Sequence, residues 1–498
     1  MGGRTDSSTS TTPAERDLSN QEEAVVTRSS NRNIVSAIVL GVAIALLAAC
    51  SGAGTPSDDG SVGAAGEPPP TDGATGETVA GADTITVLMV GNPQMEDIQG
   101  LTEEHFTAET GIDVRFTILP ENELRDRVTQ DVATQAGQYD VVTIGAFEAP
   151  IWADNGWLTD LSGYLAEDEE FDGDDLLQPM VTSLSGSDGN LYAAPFYGES
   201  SFLMYRIDLF EQAGLEMPER PTWDEVAEFA AELDGIEPGV AGICLRGLPG
   251  WGELFAPLTT VVNTFGGTWF TEDWEAQVDG PEFTEATQFY VDLVREYGQD
   301  GAAQSGFTEC LNTFAQGRAA MWYDATSAAA SVEDPNVSSV AGNVGYVYAP
   351  VKETESSGWL WAWAWAMPQT TQRAEAAWEF ISWASGKDYE RLVGEELGWA
   401  RVPAGKRAST AEVPEYQEAA AAFYEITQNA IQEADPQGPG VQPRPTVGVQ
   451  FVGIPEFADL GTRVSQEVSA AIAGQGTVEQ ALADGQRQAE AVAENYRD

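Results

Sequence analysis

Beyond its first eighty or so residues, the chain alternates between two periods of apolar spacing. Ile85-Thr86-Val87-Leu88-Met89-Val90 is a short, nearly continuous apolar run, which predicts a strand covered on both faces. Helical spacing follows from Glu96 to Thr110, with Gly111 placed as a C-cap. Ile112, Val114, Phe116 and Ile118 then alternate with polar residues as a second strand. Leu124, Val128 and Ala133 share one face of a helix closing at Gly137, and Tyr139 to Gly145 predicts a third strand. This β-α-β-α-β order implies a parallel sheet with helices packed on it. Ligands of such sheets sit beyond the carboxyl ends of the strands. The segments Gly91-Asn92-Pro93-Gln94 and Gly145-Ala146-Phe147-Glu148 therefore become candidates.

Farther on, Thr222-Trp223-Asp224-Glu225 has the Thr-x-x-Glu spacing of a capping box, followed by Val226, Phe229, Ala230 and Leu233 on a helical face. Phe283, Ala286, Phe289, Tyr290, Leu293, Val294 and Tyr297 predict another amphipathic helix, and Trp378, Ile381 and Trp383 a third. Trp359, Trp361, Trp363 and Trp365 recur with period two, so a strand there presents all four indoles on one face. Packing against a helix accounts for the outer pair. The inner pair, Trp361 and Trp363, is expected to serve a ligand, because an indole stacks on the C–H faces of a sugar or polyol and offers an N–H to a hydroxyl.

The amino-terminal part carries a different signal. The apolar run from Ile34 to Ala49 ends in Leu47-Ala48-Ala49-Cys50, the cleavage pattern of an exported bacterial lipoprotein, behind a basic stretch around Arg28 and Arg32. At under about 20 residues the run is short for a membrane span. Residues 1–49 are thus read as a signal peptide, Cys50 as the lipidated first residue, and residues 50–82, rich in Gly, Ala, Pro and Ser, as a flexible linker. The remaining residues 83–498 exceed what one hydrophobic core usually serves, so two lobes are expected.

Charge narrows the partners. The 80 acidic against 23 basic residues leave a formal net charge of -57, spread along the chain, which disfavours nucleic acid and anionic membrane surfaces. The excess fits plain solvation or a habitat of high external salt. With Cys50 assigned to lipid, Cys244 and Cys310 remain, either a disulfide or two separate buried thiols. No Cys or His cluster has metal-ligand spacing, and the single histidine, His105, lies in Glu103-Glu104-His105-Phe106 on an expected helix, so neither a structural zinc site nor a histidine-based triad is expected.

Aromatic side chains stand beside carboxylates in Phe196-Tyr197-Gly198-Glu199, Gly250-Trp251-Gly252-Glu253 and Met321-Trp322-Tyr323-Asp324. Rings with carboxylates that accept from neighbouring hydroxyls are what a neutral, hydroxyl-rich ligand requires.

Four phrases carry a family resemblance: Gln130-Asp131-Val132-Ala133-Thr134-Gln135-Ala136-Gly137-Gln138-Tyr139-Asp140-Val141, Ala193 to Ser201, Gly242-Ile243-Cys244-Leu245-Arg246-Gly247 and Val449-Gln450-Phe451-Val452. Together they resemble the extracellular solute-binding proteins of ABC importers, and within them the sorbitol/mannitol-binding branch, over nearly all of residues 83–498. The resemblance implies an α/β, two-lobed, periplasmic-binding-protein-like (type II) fold with hinge crossovers near Phe196-Tyr197, Ala325-Thr326 and Lys387 to Tyr389. Lobe 1 would hold residues 83–196 and 326–388, lobe 2 residues 197–325 and 389–498. The ligand set it implies is Asn92, Glu148, Tyr197, Glu199, Arg246, Trp251, Glu253, Asp324, Trp361, Trp363 and Gln450. By the same resemblance the protein is a monomer outside the cell membrane that captures a sugar alcohol or monosaccharide and delivers it to ABC permease subunits. It would need no cofactor or metal and catalyse nothing. Two other readings stand beside it: a secreted carbohydrate hydrolase using Glu148, Glu199, Glu253 or Asp324, and a sugar-sensing lipoprotein of the same fold.

Overall fold

The computed structural model describes residues 84–497, all within one compact unit. The expected signal segment, Cys50 and the whole linker through residue 82 lie outside the described residues. The first sheet has the order β2-β1-β3-β9-β4. β1 (Thr84–Val90) runs parallel to β2 (Asp113–Leu119) and to β3 (Val141–Gly145), as the apolar pattern requires. Between them the helices Pro93–Thr102 and Glu121–Thr134 cross over. Gly111 ends the first crossover in the left-handed conformation at φ 76°, which glycine adopts without Cβ strain. β9 (Trp361–Ala366) is inserted antiparallel between β3 and β4 (Ala193–Glu199). β4 slips register between Pro195 and Tyr197. This bulge leaves Phe196 packed in the core against Trp365 and Tyr389 and Tyr197 free to face the other way.

The second sheet has the order β6-β7-β5-β8, with β5 (Ser201–Arg206) antiparallel to β7 (Ala319–Ala325) and to β8 (Val344–Tyr348). β6 (Ala241–Cys244) lies parallel to β7. The Thr222 capping box forms: Glu225 N donates to the Thr222 hydroxyl, and the Glu225 carboxylate accepts from Thr222 N. The Pro281–Tyr297 helix lies beside this sheet, where its Tyr290 hydroxyl donates to Arg246 O at 2.7 Å. Cys244, at the end of β6, and Cys310, on the Phe307–Ala315 helix, are joined as a disulfide with 5.8 Å between their Cα atoms.

The chain changes sheets at places other than the expected ones. β4 stays in the first sheet through Glu199, so the first crossing is Ser200, three residues past Phe196-Tyr197. Thr326 N donates to Ser200 O, and Ser200 N to the Thr326 hydroxyl, which fastens the crossing to the end of β7. After Thr326 the chain does not return to the first sheet, because β8 pairs with β5; it crosses between Tyr348 and Trp361. The third crossing comes after residue 409 rather than at Lys387 to Tyr389. Tyr389 packs on Phe196 and Trp383, and Ser409 is bonded to Asp175, all on the first-sheet side. Only at Phe423 and Asn429 does the chain meet β8, through Tyr346 and Tyr348.

Candidate functional site

A cavity lies where strand ends and loops of the two sheets meet, a position that small-molecule sites favour. The first-sheet side contributes Asn92 after β1, Glu121 and Arg125 from the helix after β2, Tyr197 and Glu199 from β4, and Trp361 and Trp363 from β9. The second-sheet side contributes Arg246 after β6, Gly252, Phe307 and, after β7, Ser327. Trp359 closes the crossing before β9, and the loop bearing Gln450 and Phe451 supplies the remaining wall. Asn263 Nδ2 donates to Val449 O at 2.8 Å and holds that loop. Trp361 and Trp363 meet edge to face with ring centres 5.8 Å apart, and Gly145 is required behind them, because a Cβ there would run into the Trp361 ring.

The charges in the walls are largely spoken for. Arg246 donates through Nε and Nη2 to Asp324 at 2.8 and 2.5 Å, and through Nη1 to Gly252 O at 3.3 Å and Glu253 at 3.4 Å. Burial opposes its charge, yet Asp324 and then Glu253 outweigh that and raise its pKa. Asp324 is fully buried and also takes Trp322 Nε1 and Ala325 N. Arg125 forms the matching cluster on the other wall: it donates to Glu121 through Nε and Nη2, pairs with Glu148, and lies 4.1 Å over Trp251 and 4.9 Å over Trp363. Here too burial works against the guanidinium, and Glu148 and Glu121 together raise its pKa. Neither arginine keeps an unpaired face for an anion. Such an arrangement suits an uncharged ligand.

The remaining polar groups face the cavity as hydrogen-bonding partners. Asn92 Nδ2 donates to the Tyr197 hydroxyl at 3.0 Å, which leaves the phenolic proton available to a ligand. Burial, then the charge of Glu199, hold the Tyr197 pKa well above the tyrosine range. Glu199 accepts from the Ser327 hydroxyl. Burial raises its pKa to about 8, against the opposing pull of Ser327 and Arg246.

Of the residues expected at the site, Asn92, Tyr197, Glu199, Arg246, Trp361, Trp363 and Gln450 line the cavity. The other four stand behind it. Glu148 accepts from Gly145 N and from Arg125, Asp324 and Glu253 hold Arg246, and Trp251 backs Arg125 against Phe147 and Phe451. Trp251 instead borders an outer groove with Trp152 and Trp157. Trp365 is core, as its outer position implied, but Trp359 is not only core: it also lines the cavity. Glu121, Arg125, Phe307, Ser327 and Phe451 were not foreseen. The strand-end rule that marked Asn92 after β1 marks Glu121 after β2 equally well, and Glu121 with Arg125 also has the i, i+4 spacing of an acid-base pair. Among the described residues no group of three acidic, His or Cys side chains is placed to hold a metal ion.

A family model described as bacterial extracellular solute-binding protein matches residues 92–391. The chain is 43% identical to a mannitol-binding protein of Pseudomonas aeruginosa over 408 residues, 82% of this chain and 92% of that protein. A solute-binding protein of an ABC transporter from Agrobacterium vitis, solved with bound D-mannitol, superposes with a TM-score of 0.81 at 48% identity, covering 83% of this chain and 99% of that one. A relative from Agrobacterium radiobacter, solved with ribitol, superposes with a TM-score of 0.73 at 25% identity, covering 82% and 98%.

Proposed function

The chain belongs to the bacterial extracellular solute-binding proteins, and on that premise we propose that it captures a hexitol or a closely related neutral polyol and delivers it to an ABC importer. The observation that carries this reading is the cavity itself: indoles and hydroxyl or amide groups face inward, while both arginines are neutralised within the walls. An extended polyol presents C–H faces for Trp361 and Trp363 and a row of hydroxyls for Asn92, Tyr197, Glu199 and Gln450. Ligand contacts drawn from both sheets are best satisfied together when the lobes close, and closure is the state a permease reads.

Calorimetric titration with D-mannitol, D-sorbitol and ribitol tests the reading. Saturable binding of at least one, with no product formed, is expected. Trp361→Ala should weaken it by at least about 1 kcal/mol through loss of the stacked face. Binding only of anionic sugars, or unchanged affinity in Trp361→Ala, would place the ligand elsewhere.

The tether is part of the same proposal. Acylation of Cys50, together with the spacer that follows, would hold the domain at the outer face of the membrane while leaving it free to reach the permease. Cys50→Ala protein is expected in the soluble fraction of an expressing bacterium, whereas wild type stays with membranes. Mutant protein retained in the membrane fraction would refute the anchor.

A further inference from the structure

Glu121 is held in an unusual way. Arg125 Nε and Nη2 both donate to its Oε1, at 3.0 and 2.9 Å, and no protein donor among the described residues reaches its Oε2. The side chain is 12% exposed, and Glu121 is among the residues that line the cavity. A carboxylate at a cavity wall, fixed by one oxygen and with the other unpaired, is an oriented acceptor for a hydroxyl, and its charge makes that bond stronger than a neutral one.

The same helical turn touches the opposing wall. Asn122, the next residue, donates from Nδ2 to Pro249 O at 3.0 Å, on the loop that follows β6. Gly252 of that loop lies so near Glu121 and Arg125 that a Cβ would strike Glu121 Oε1 and Arg125 Nε. Trp251, between them, stacks on the Arg125 guanidinium. The loop is in turn tied to the second-sheet side by Arg246 donating to Gly252 O. One turn of helix thus carries a ligand-facing acceptor and a cross-lobe fastening within two consecutive residues.

We infer that this turn senses ligand and lobe closure together: Glu121 accepts a ligand hydroxyl through Oε2, while Asn122 fastens the turn to the opposing lobe. The inference rests on the polyol reading above. A hydroxyl bound to Glu121 holds the turn in the position from which Asn122 reaches Pro249, and the Asn122 bond in turn holds Glu121 over the ligand. Each contact therefore strengthens the other, as linkage requires of two interactions that favour one state.

Calorimetry and stopped-flow fluorescence with D-mannitol test this on the whole exported protein. Glu121→Gln should bind about tenfold more weakly. Asn122→Ala should bind about three- to tenfold more weakly, with the loss in faster dissociation and little change in association. The double variant should lose less than the product of the two single losses, because the interactions are coupled. Glu121→Asp, which keeps the charge beside Arg125, guards against a folding defect: with an unchanged melting point it should also bind more weakly. Affinities of Glu121→Gln and Glu121→Asp within twofold of wild type, or strictly multiplicative losses in the double variant, would overturn the inference and leave the polyol reading standing. A wild-type protein that binds no polyol would overturn both.

Discussion

Replacing Arg246 with methionine is expected to cost the protein about 3–5 kcal/mol of unfolding free energy, the range seen when one partner of a buried ion pair is removed. The reason is what would be left behind. Asp324 is fully buried, and its two strongest donors are Nε and Nη2 of Arg246; Trp322 Nε1 and Ala325 N remain, but neither supplies a charge. Glu253 would lose the same cation. A buried carboxylate without its cation must be desolvated unpaired or protonated, and both states are costly. Urea denaturation of ligand-free protein gives the loss as a shift of midpoint at constant slope. The double variant Arg246→Met/Asp324→Asn carries the control: because it removes the stranded charge, it should be more stable than Arg246→Met alone. A loss below about 1 kcal/mol, or a double variant no more stable than the single, would mean that Asp324 does not depend on Arg246.

The fold was legible wherever apolar period alone decides structure. β1, β2 and β3 follow from Ile85 to Val90, the alternation through Ile118, and Val141 to Gly145, and their parallel pairing follows from the helices between them. What the pattern does not encode is where the chain leaves a sheet. β4 and β5 form one almost unbroken buried stretch from Ala193 to Arg206, so no change of period marks Ser200 as the crossing; hydrogen bonding to Thr326 does. β8 is likewise an ordinary strand by sequence, and its place beside β5 is set by pairing alone.

Legibility of the site divides along the same line. Residues that face the cavity because they follow a strand or alternate along one could be read directly, as Asn92, Trp361 and Trp363 were. The strand-end rule pointed to Glu148, and residue type to Glu253 and Asp324, yet none of the three lines the cavity. Carboxylates beside aromatic rings fit a polyol, but in this protein Glu148 pairs with Arg125, Asp324 pairs with Arg246, and Glu253 lies 3.4 Å from Arg246. The pairing of a buried acid with a distant arginine, such as Asp324 with Arg246 across 78 residues, leaves no trace in local sequence. Arg125 was missed for the same reason: its role depends on Glu148 and Trp251 arriving from two other segments.

Stability of the ligand-free protein is expected to decline as pH rises from about 4.5 to about 8, with the Glu199 and Glu253 carboxyls as a principal cause. Burial raises both to about 8. For Glu253 the nearby charge of Glu121 adds to the rise, and Arg246 at 3.4 Å offsets it only in part, because its shorter bonds go to Asp324. In the unfolded chain both acids titrate near 4.5. Between these two values the folded state retains protons that the unfolded state has lost, so rising pH favours unfolding, by up to about 1.4 kcal/mol per pH unit for each group. Their stabilising contribution is complete below pH 4.5 and gone above pH 8, where both must be buried as anions. Melting temperatures of wild type and Glu199→Gln/Glu253→Gln across pH 4.5 to 9 isolate the effect from the many surface carboxylates that the two proteins share. The variant should lose the part of the slope these groups supply, and at pH 9 it should be the more stable of the two, since the amides need no proton to remain neutral. Parallel profiles for the two proteins would show that these carboxyls ionise normally, and that the walls around Arg246 admit more water than their packing implies.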